Sequence, residues 1–311
     1  MDKIRFHVLT LPHTQLTKQY IACAYTQKAL NFCKMMSSLG HEVFAYAGEQ
    51  CEADITELVT VYTTEDQARW FGYNDFHTNF FNITWGPNDI HWLEYNQRTI
   101  DQIKKRLDKN DIICVIGGSC QEMVGQAFAN SNTPVVEYGI GYDGQFANFR
   151  VFESYSHMHF SYGKQNINEG RYYDCVIPNY FDPSDFHLSQ KEDYYVFLGR
   201  FTRLKGISIA VSAVEKLHAH LKAAGQGVTH KENGLFSGPD TSVLTQCMEH
   251  IGHVDVKQKA ELLSKARACF MPTIYIEPFG GVAVEALMSG TPVIASDFGA
   301  FTETIVHGLD G

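Results

Sequence analysis

Basic residues are scarce in this 311-residue chain: 25 Lys and Arg stand against 35 Asp and Glu, a net charge of −10. A surface of that sign repels polyanions, so bulk nucleic acid is disfavoured as a partner and any phosphate must be met by a few local cations. No apolar run reaches the roughly 20 residues that a membrane-spanning helix needs. The opening Met1-Asp-Lys-Ile-Arg-Phe-His-Val8 reads as a first strand and not as a signal peptide. The expected location is therefore the cytoplasm, with no transmembrane segment and only peripheral contact with a membrane left open. The eight cysteines contain no Cys-x-x-Cys pair, and Cys33, Cys114 and Cys269 fall in apolar patterns, so reduced core thiols are expected instead of disulfides or zinc ligands. His157-Met-His159 and His218-Ala-His220 lack carboxylate or cysteine neighbours at ligand spacing and read as surface or packing histidines.

What is present is an alternation of strands and helices. A chain of this length exceeds the usual size of one core, so two domains are expected. The first opens with a strand at 3–10, a polar loop to about 21, a helix at 22–38 stopped by Gly40, and a strand at Glu42–Tyr46. A helix at 97–108, a strand at 111–116, a helix at 120–129 and a strand at 134–138 follow. Between 62 and 96 the sequence is aromatic and polar without clean periodicity, which reads as an irregular insertion packed on the sheet, or as a ligand-binding surface, since aromatic faces suit sugar rings. A polar, proline-bearing linker at 181–193 places the domain boundary at 184/185. Two α/β domains with doubly wound parallel sheets are expected.

The densest chemistry lies in Glu277-Pro-Phe-Gly-Gly-Val-Ala-Val-Glu285. Arg267-Ala-Cys-Phe-Met271 reads as a buried strand, Pro272–Pro278 as the loop leaving its carboxyl end, and Val282 onward as a short buried helix. Gly280 and Gly281 then sit at a helix N-terminus, where unpaired N–H groups and a missing Cβ favour the close approach of a phosphate. A carboxylate beside an anion site makes sense when it accepts hydrogen bonds from sugar or ribose hydroxyls. Taken singly, Glu277 reads equally well as a surface carboxylate, the glycine pair as close packing, and Arg200 and Lys205 as solvated cations.

Together these segments resemble the retaining glycosyltransferases of family 4, whose signature is two glutamates separated by seven residues. Tyr195-Val-Phe-Leu-Gly-Arg-Phe-Thr-Arg-Leu-Lys-Gly206 is similar to that family's strand followed by Gly-Arg and Lys-Gly, and Leu221-Lys-Ala-Ala-Gly-Gln-Gly227 to its next strand and glycine loop. The resemblance covers residues 194 to 311. It implies the GT-B architecture, two Rossmann-like domains facing across a cleft, with an acceptor-side domain at 1–184 and a nucleotide-sugar domain at 185–311. It also implies that Arg200 and Lys205 hold the diphosphate, that Glu285 takes the ribose hydroxyls, and that Glu277 with the backbone of Phe279, Gly280 and Gly281 grips the sugar. Gly199 and Val282 line the donor site, and Arg200, Lys205 and Glu277 are the catalytic candidates. Transfer to a hydroxyl acceptor with retention is expected, without a cofactor. The chain has no Asp-x-Asp motif, the usual metal and diphosphate holder of the other large glycosyltransferase fold, so no metal is expected.

The first domain departs from the family. Leu11-Pro-His-Thr-Gln-Leu16 replaces a glycine-rich loop, and Gly117-Gly-Ser-Cys120 stands where many relatives place a histidine. His13, Ser119, Glu137 and His157 remain as acceptor-side candidates. Relatives usually continue beyond the position of Gly311, so a truncated chain is expected, and a non-catalytic nucleotide-sugar-binding subunit is the alternative function. Gly139-Ile-Gly-Tyr-Asp-Gly144 fits the dinucleotide pattern G-x-G-x-x-G, but no helix start or ribose-binding acid follows it, and a tight glycine loop is expected there.

Overall fold

The computed structural model describes residues 3–311; Met1 and Asp2, read above as the lead into the first strand, lie outside the described residues. The chain divides into two compact units. One holds residues up to Asn74, Phe81–Glu153 and Met158–Tyr180; the other holds Phe181–Gly311 together with Asp75–Phe80 and Ser154–His157.

The first unit is built on β1 (Arg5–Leu9), α1 (Ala24–Ser38), β2 (Glu42–Ala47), β3 (Glu57–Thr60), α2 (Thr64–Phe71), α3 (Ile90–Lys104), β4 (Asp111–Val115), α4 (Glu122–Phe128), β5 (Val135–Ile140), β6 (Phe149–Phe152) and β7 (Asp174–Val176). A further helix, α5 (Tyr155–Lys164), has its first residues counted with the second unit. The strands form one sheet in the order β3-β2-β1-β4-β5-β6-β7, parallel throughout. Helices on a parallel sheet cover both faces, which is why β1 and β2 read as nearly continuous apolar runs and are buried along almost their whole length. The core gathers Val8, Leu9, Leu30, Val43, Tyr46 and Val115. All three tryptophans of the chain, Trp70, Trp85 and Trp92, belong to this unit. Trp92 is fully buried, with its indole N–H donating to the Thr84 carbonyl at 3.1 Å.

The second unit follows the same plan with β8 (Tyr195–Leu198), α6 (Ile207–Lys216), β9 (Leu221–Ala224), β10 (His230–Glu232), β11 (Leu235–Ser237), β12 (Ser242–Leu244), β13 (Met248–Gly252), α7 (Val256–Lys265), β14 (Cys269–Met271), α8 (Gly281–Met288), β15 (Val293–Ala295) and α9 (Phe301–Thr304). Its main sheet is parallel in the order β13-β9-β8-β14-β15, and β10-β11-β12 form a separate antiparallel meander. Alternate side chains of β8 enter two cores on opposite faces of the sheet: Val196 and Leu198 pack with Leu263, Ala283 and Ala286, while Phe197 packs with Ile207, Val211 and Leu221.

Several sequence expectations need correction. The helix expected at 97–108 runs over Ile90–Lys104, so the stretch at 62–96, read as irregular, contains the start of α3 and all of α2. The buried face of α3 is His91, Trp92, Tyr95, Asn96, Thr99, Ile100 and Ile103. Its helical spacing is regular, but polar and aromatic residues make up five of these seven positions. The helix expected at 120–129 is a 3-10 turn at Gly118–Gln121 followed by α4. Gly139, expected in a tight loop, lies inside β5 with φ of +60°, beside a shift in register between β5 and β6.

Candidate active site

β8 and β14 are neighbours in the second sheet, so the loops leaving their carboxyl ends run side by side. The loop after β8 carries Gly199, Arg200 and a 3-10 turn at Arg203–Lys205, and it ends at Gly206, which caps α6 with φ of +77°. A Cβ on Gly206 would fall 2.0 Å from the Pro272 carbonyl oxygen, so a glycine is what lets the two loops approach. The loop after β14 carries Thr273, Tyr275, Glu277 and Phe279 and turns at Gly280, where φ is +80° and a Cβ would meet the Phe301 ring at 2.4 Å. The helix α8 starts at Gly281, as its sequence implied.

This geometry brings Lys205 and Glu277 together. The Lys205 ammonium lies 2.9 Å from Glu277 Oε2 and also donates to the Tyr275 hydroxyl, which itself donates to the same Oε2. Glu277 is largely buried, with its side chain 11% exposed against 27% for Lys205. The Glu277 backbone carbonyl accepts from Ala300 N–H at 3.0 Å, which ties the loop to the turn before α9. Arg200, expected to join Lys205, is exposed and stacks its guanidinium over the Phe80 ring at 5.2 Å. Stacking uses the face of the guanidinium and leaves its in-plane donors free.

Glu285 lies one turn into α8 and pairs with Lys259 of α7, each side chain 12% exposed. Phe279 is buried and stacks against Phe181 with ring centroids 6.1 Å apart, while Val282 lies partly buried on the first turn of α8. Gly199 lies so close to the Lys205 stem that a Cβ there would come within 3.9 Å of it. Two members of this constellation, Tyr275 and Lys259, are absent from the sequence reading. Lys259 had a signal, one turn before Leu263 on the buried face of α7, whereas Tyr275 lies on a bend and its place beside Glu277 is set by the folded loop.

The acceptor-side candidates do not share one setting. His13 is partly buried among Phe71, Phe81 and Trp85, with Nε2 at 3.7 Å from the Cys23 sulfur. Burial, followed by the charge of nearby His91, pushes its pKa down to about 3, so its imidazole is neutral and a weak proton acceptor near pH 7. Glu137 is fully buried in β5, where its carboxylate accepts from Phe146 N–H and Ala147 N–H, each at 2.8 Å, and from the Tyr142 hydroxyl at 3.3 Å. Burial raises its pKa, with those bonds acting in the opposite direction. Its evident work is to pin the loop after β5. Ser119 lies partly exposed past the end of β4, its Oγ 3.3 Å from where a Gly144 Cβ would stand. His157, counted with the second unit, is buried in α5, with its N–H donating to Ser154 Oγ at 3.0 Å.

The model of the glycosyl transferases group 1 family matches residues 181–311. That stretch of the chain belongs to this family. A glycogen synthase of Mycobacterium tuberculosis is 31% identical over 121 residues, covering 37% of this chain and 28% of the synthase. An uncharacterized glycosyltransferase of Methanocaldococcus jannaschii is 33% identical over 131 residues, 40% of this chain and 32% of that protein. The chain thus spans less than a third of the length of these two relatives. A glycosyltransferase structure from Rickettsia africae superposes with a TM-score of 0.66 at 14% identity, covering 98% of this chain and 82% of the other. Anabaena HepE in complex with UDP-glucose gives 0.62 at 14% identity, with coverage of 99% and 84%. At such identity the likeness is one of fold, and the fold is that of GT-B glycosyltransferases, built from two Rossmann-like domains. Among the described residues, no helix of this glycosyltransferase fold is long and apolar enough to cross a membrane, and no group of three or more His, Cys, Asp or Glu is placed to hold a metal ion.

Proposed function

We propose that this chain transfers a sugar from a nucleoside-diphosphate sugar to a hydroxyl acceptor, with retention of anomeric configuration and without a metal. The observation that carries the reading is the convergence of Lys205, Tyr275 and Glu277, with Arg200 on the same loop as Lys205, at the carboxyl ends of adjacent parallel strands. Ligands of open α/β sheets bind at that end of the strands. When the bond between the anomeric carbon and the phosphate oxygen breaks, charge grows on the leaving diphosphate. Arg200, Lys205 and the N–H groups of Gly280 and Gly281 are the groups suited to meet it, and one preorganised contact of this kind is commonly worth about 10²–10³ in rate. Glu277 offers a carboxylate to the sugar hydroxyls and Glu285 one to the ribose. The acceptor oxygen forms the new bond on the face from which the diphosphate leaves, and its proton goes to the leaving phosphate oxygen. HepE, of the same fold, is known in complex with UDP-glucose, which supports a nucleotide sugar as the donor class.

The test is a thermal-shift panel of UDP-, GDP-, ADP- and TDP-sugars, because a ligand of the native state raises the melting temperature by mass action. One series is expected to bind. Arg200→Ala and Lys205→Ala should each then weaken the matching free nucleoside diphosphate by about ten- to hundredfold, the range for a charge-assisted hydrogen bond. Unchanged affinity in both variants would remove the diphosphate site from this loop pair, and loss of transfer in EDTA with rescue by Mn²⁺ would show that a metal takes part.

A further inference from the structure

We propose that Ser154 is a positioning residue for the loop after β14: by holding the Pro278 carbonyl it aims the N–H group of Phe279 at the sugar half of the donor. The proposal rests on the nucleotide-sugar reading above and adds to it a residue that lies outside the matched segment 181–311 and is counted with the second unit.

The contact begins with a hydroxyl that is used twice. Ser154 stands just before α5 and is 2% exposed; its Oγ accepts from His157 N–H at 3.0 Å and donates to the Pro278 carbonyl at 2.6 Å. A serine hydroxyl has one proton and lone pairs to accept with, and a carbonyl oxygen can only accept, so the direction of the bond to Pro278 is fixed.

The consequence lies on the other side of the same peptide. A trans peptide is planar and its C=O and N–H point in opposite directions, so fixing the Pro278 oxygen fixes the Phe279 N–H. The pyrrolidine ring restrains φ of Pro278, and the Glu277 carbonyl is held by Ala300 N–H at 3.0 Å, so two successive carbonyls of the loop are tied. The Phe279 N–H itself finds no acceptor among the described residues, although Phe279 is only 5% exposed. A buried backbone donor without a partner is rare in a native fold, and one held in a fixed direction is suited to an oxygen that a ligand brings. It follows Glu277, the carboxylate proposed for the sugar, by two residues, and it precedes the Gly280 and Gly281 N–H groups proposed for the diphosphate. That order assigns it to a sugar hydroxyl.

A further pair of bonds keeps Ser154 in place. Glu303 of α9 accepts from Tyr155 N–H at 2.8 Å and from Ser156 N–H at 2.5 Å. The turn that carries Ser154 is thereby tied to the same segment whose Ala300 N–H holds Glu277, and the brace closes on the loop from both of its carbonyls.

Two substitutions test the assignment. Ser154→Ala removes the donor to Pro278 and also the acceptor that His157 N–H uses; Ser154→Gly removes both as well, but glycine is well tolerated in the position before a helix. Affinity is measured by calorimetry with UDP and UDP-glucose, or with the matching pair that the thermal-shift panel selects. Both variants should weaken the nucleotide sugar by about fivefold, the scale of one hydrogen bond, and bind the free diphosphate within about twofold of the wild type. A serine with a merely structural part would lower the melting temperature and leave the ratio of the two affinities in place. Equal losses for the two ligands, or no loss for either, would therefore overturn the assignment, and the glycine variant keeps the comparison decisive if the alanine variant does not fold. A wild type that binds none of UDP, GDP, ADP and TDP would remove the nucleotide-sugar reading itself, an outcome distinct from a wild type that binds and variants that match it.

Discussion

Lys259 and Glu285 show how a residue can be needed twice. Each side chain is 12% exposed, and the two meet between α7 and α8. Two ions that close to a protein interior stabilise it little relative to an apolar pair, but removing one partner strands the other. Lys259→Met should therefore cost about 3 kcal/mol, the low end of the range for breaking a buried pair, since both groups keep some contact with water. Adding Glu285→Gln to it should recover part of the loss, because no lone charge is then left inside. Urea unfolding of the two singles and the double measures this directly, and losses that simply add would show that the pair is not coupled. The same lysine stands beside the carboxylate proposed for the ribose, so the single variant should also bind nucleotide less tightly.

At the scale of elements, the approach of two loops depends on one backbone conformation. Gly206 has φ of +77° and no room for a Cβ against the Pro272 carbonyl, whereas Gly40 has φ of +85° and nothing within 4 Å of its missing Cβ. Gly40→Ala therefore isolates the cost of a left-handed residue, about 1–2 kcal/mol. Gly206→Ala adds a clash with backbone that no side-chain rotation relieves. It should be the more destabilising by at least about 1–2 kcal/mol in chemical denaturation, and it should also shift Lys205 away from Glu277. Equal losses at the two glycines would mean that the loops yield without resistance.

The elements also show what could be read from the chain. The Gly280-Gly281 helix start, the glycine stop at Gly290 and the strands β8 and β14 are written in glycine placement and short apolar runs, which act locally. The helix α3 was not legible from Ile90, because its buried face is made of His91, Asn96 and Thr99 as much as of apolar residues. Two of these polar groups find partners outside the helix: His91 Nε2 lies 3.1 Å from the Thr84 carbonyl, and Asn96 donates to the Cys120 carbonyl at 2.7 Å, a residue 24 positions away. The meander β10-β11-β12 escaped for a different reason: β10 is His-Lys-Glu, fully exposed, and carries no alternation to detect. In the candidate site, Arg200, Lys205, Glu277 and Glu285 enter through the resemblance of their segments to a family, while Tyr275 and Lys259, which contact Glu277 and Glu285, are met only as tertiary neighbours.

For the whole molecule, the uneven placement of the tryptophans has an optical consequence. Trp70, Trp85 and Trp92 all lie in the first unit, and the proposed nucleotide-binding loops all lie in the second. Indole emission thus reports the melting of one unit, while far-ultraviolet circular dichroism reports both. A nucleoside diphosphate at about 100 times its dissociation constant stabilises the unit that binds it by about 2.7 kcal/mol. Its addition should raise the midpoint of the dichroism trace and leave the emission midpoint in place. Movement of both together would instead identify a single cooperative transition. The chain thus carries a built-in dye on the half that is not expected to hold the nucleotide, and a label-free melt becomes an assay of which half does.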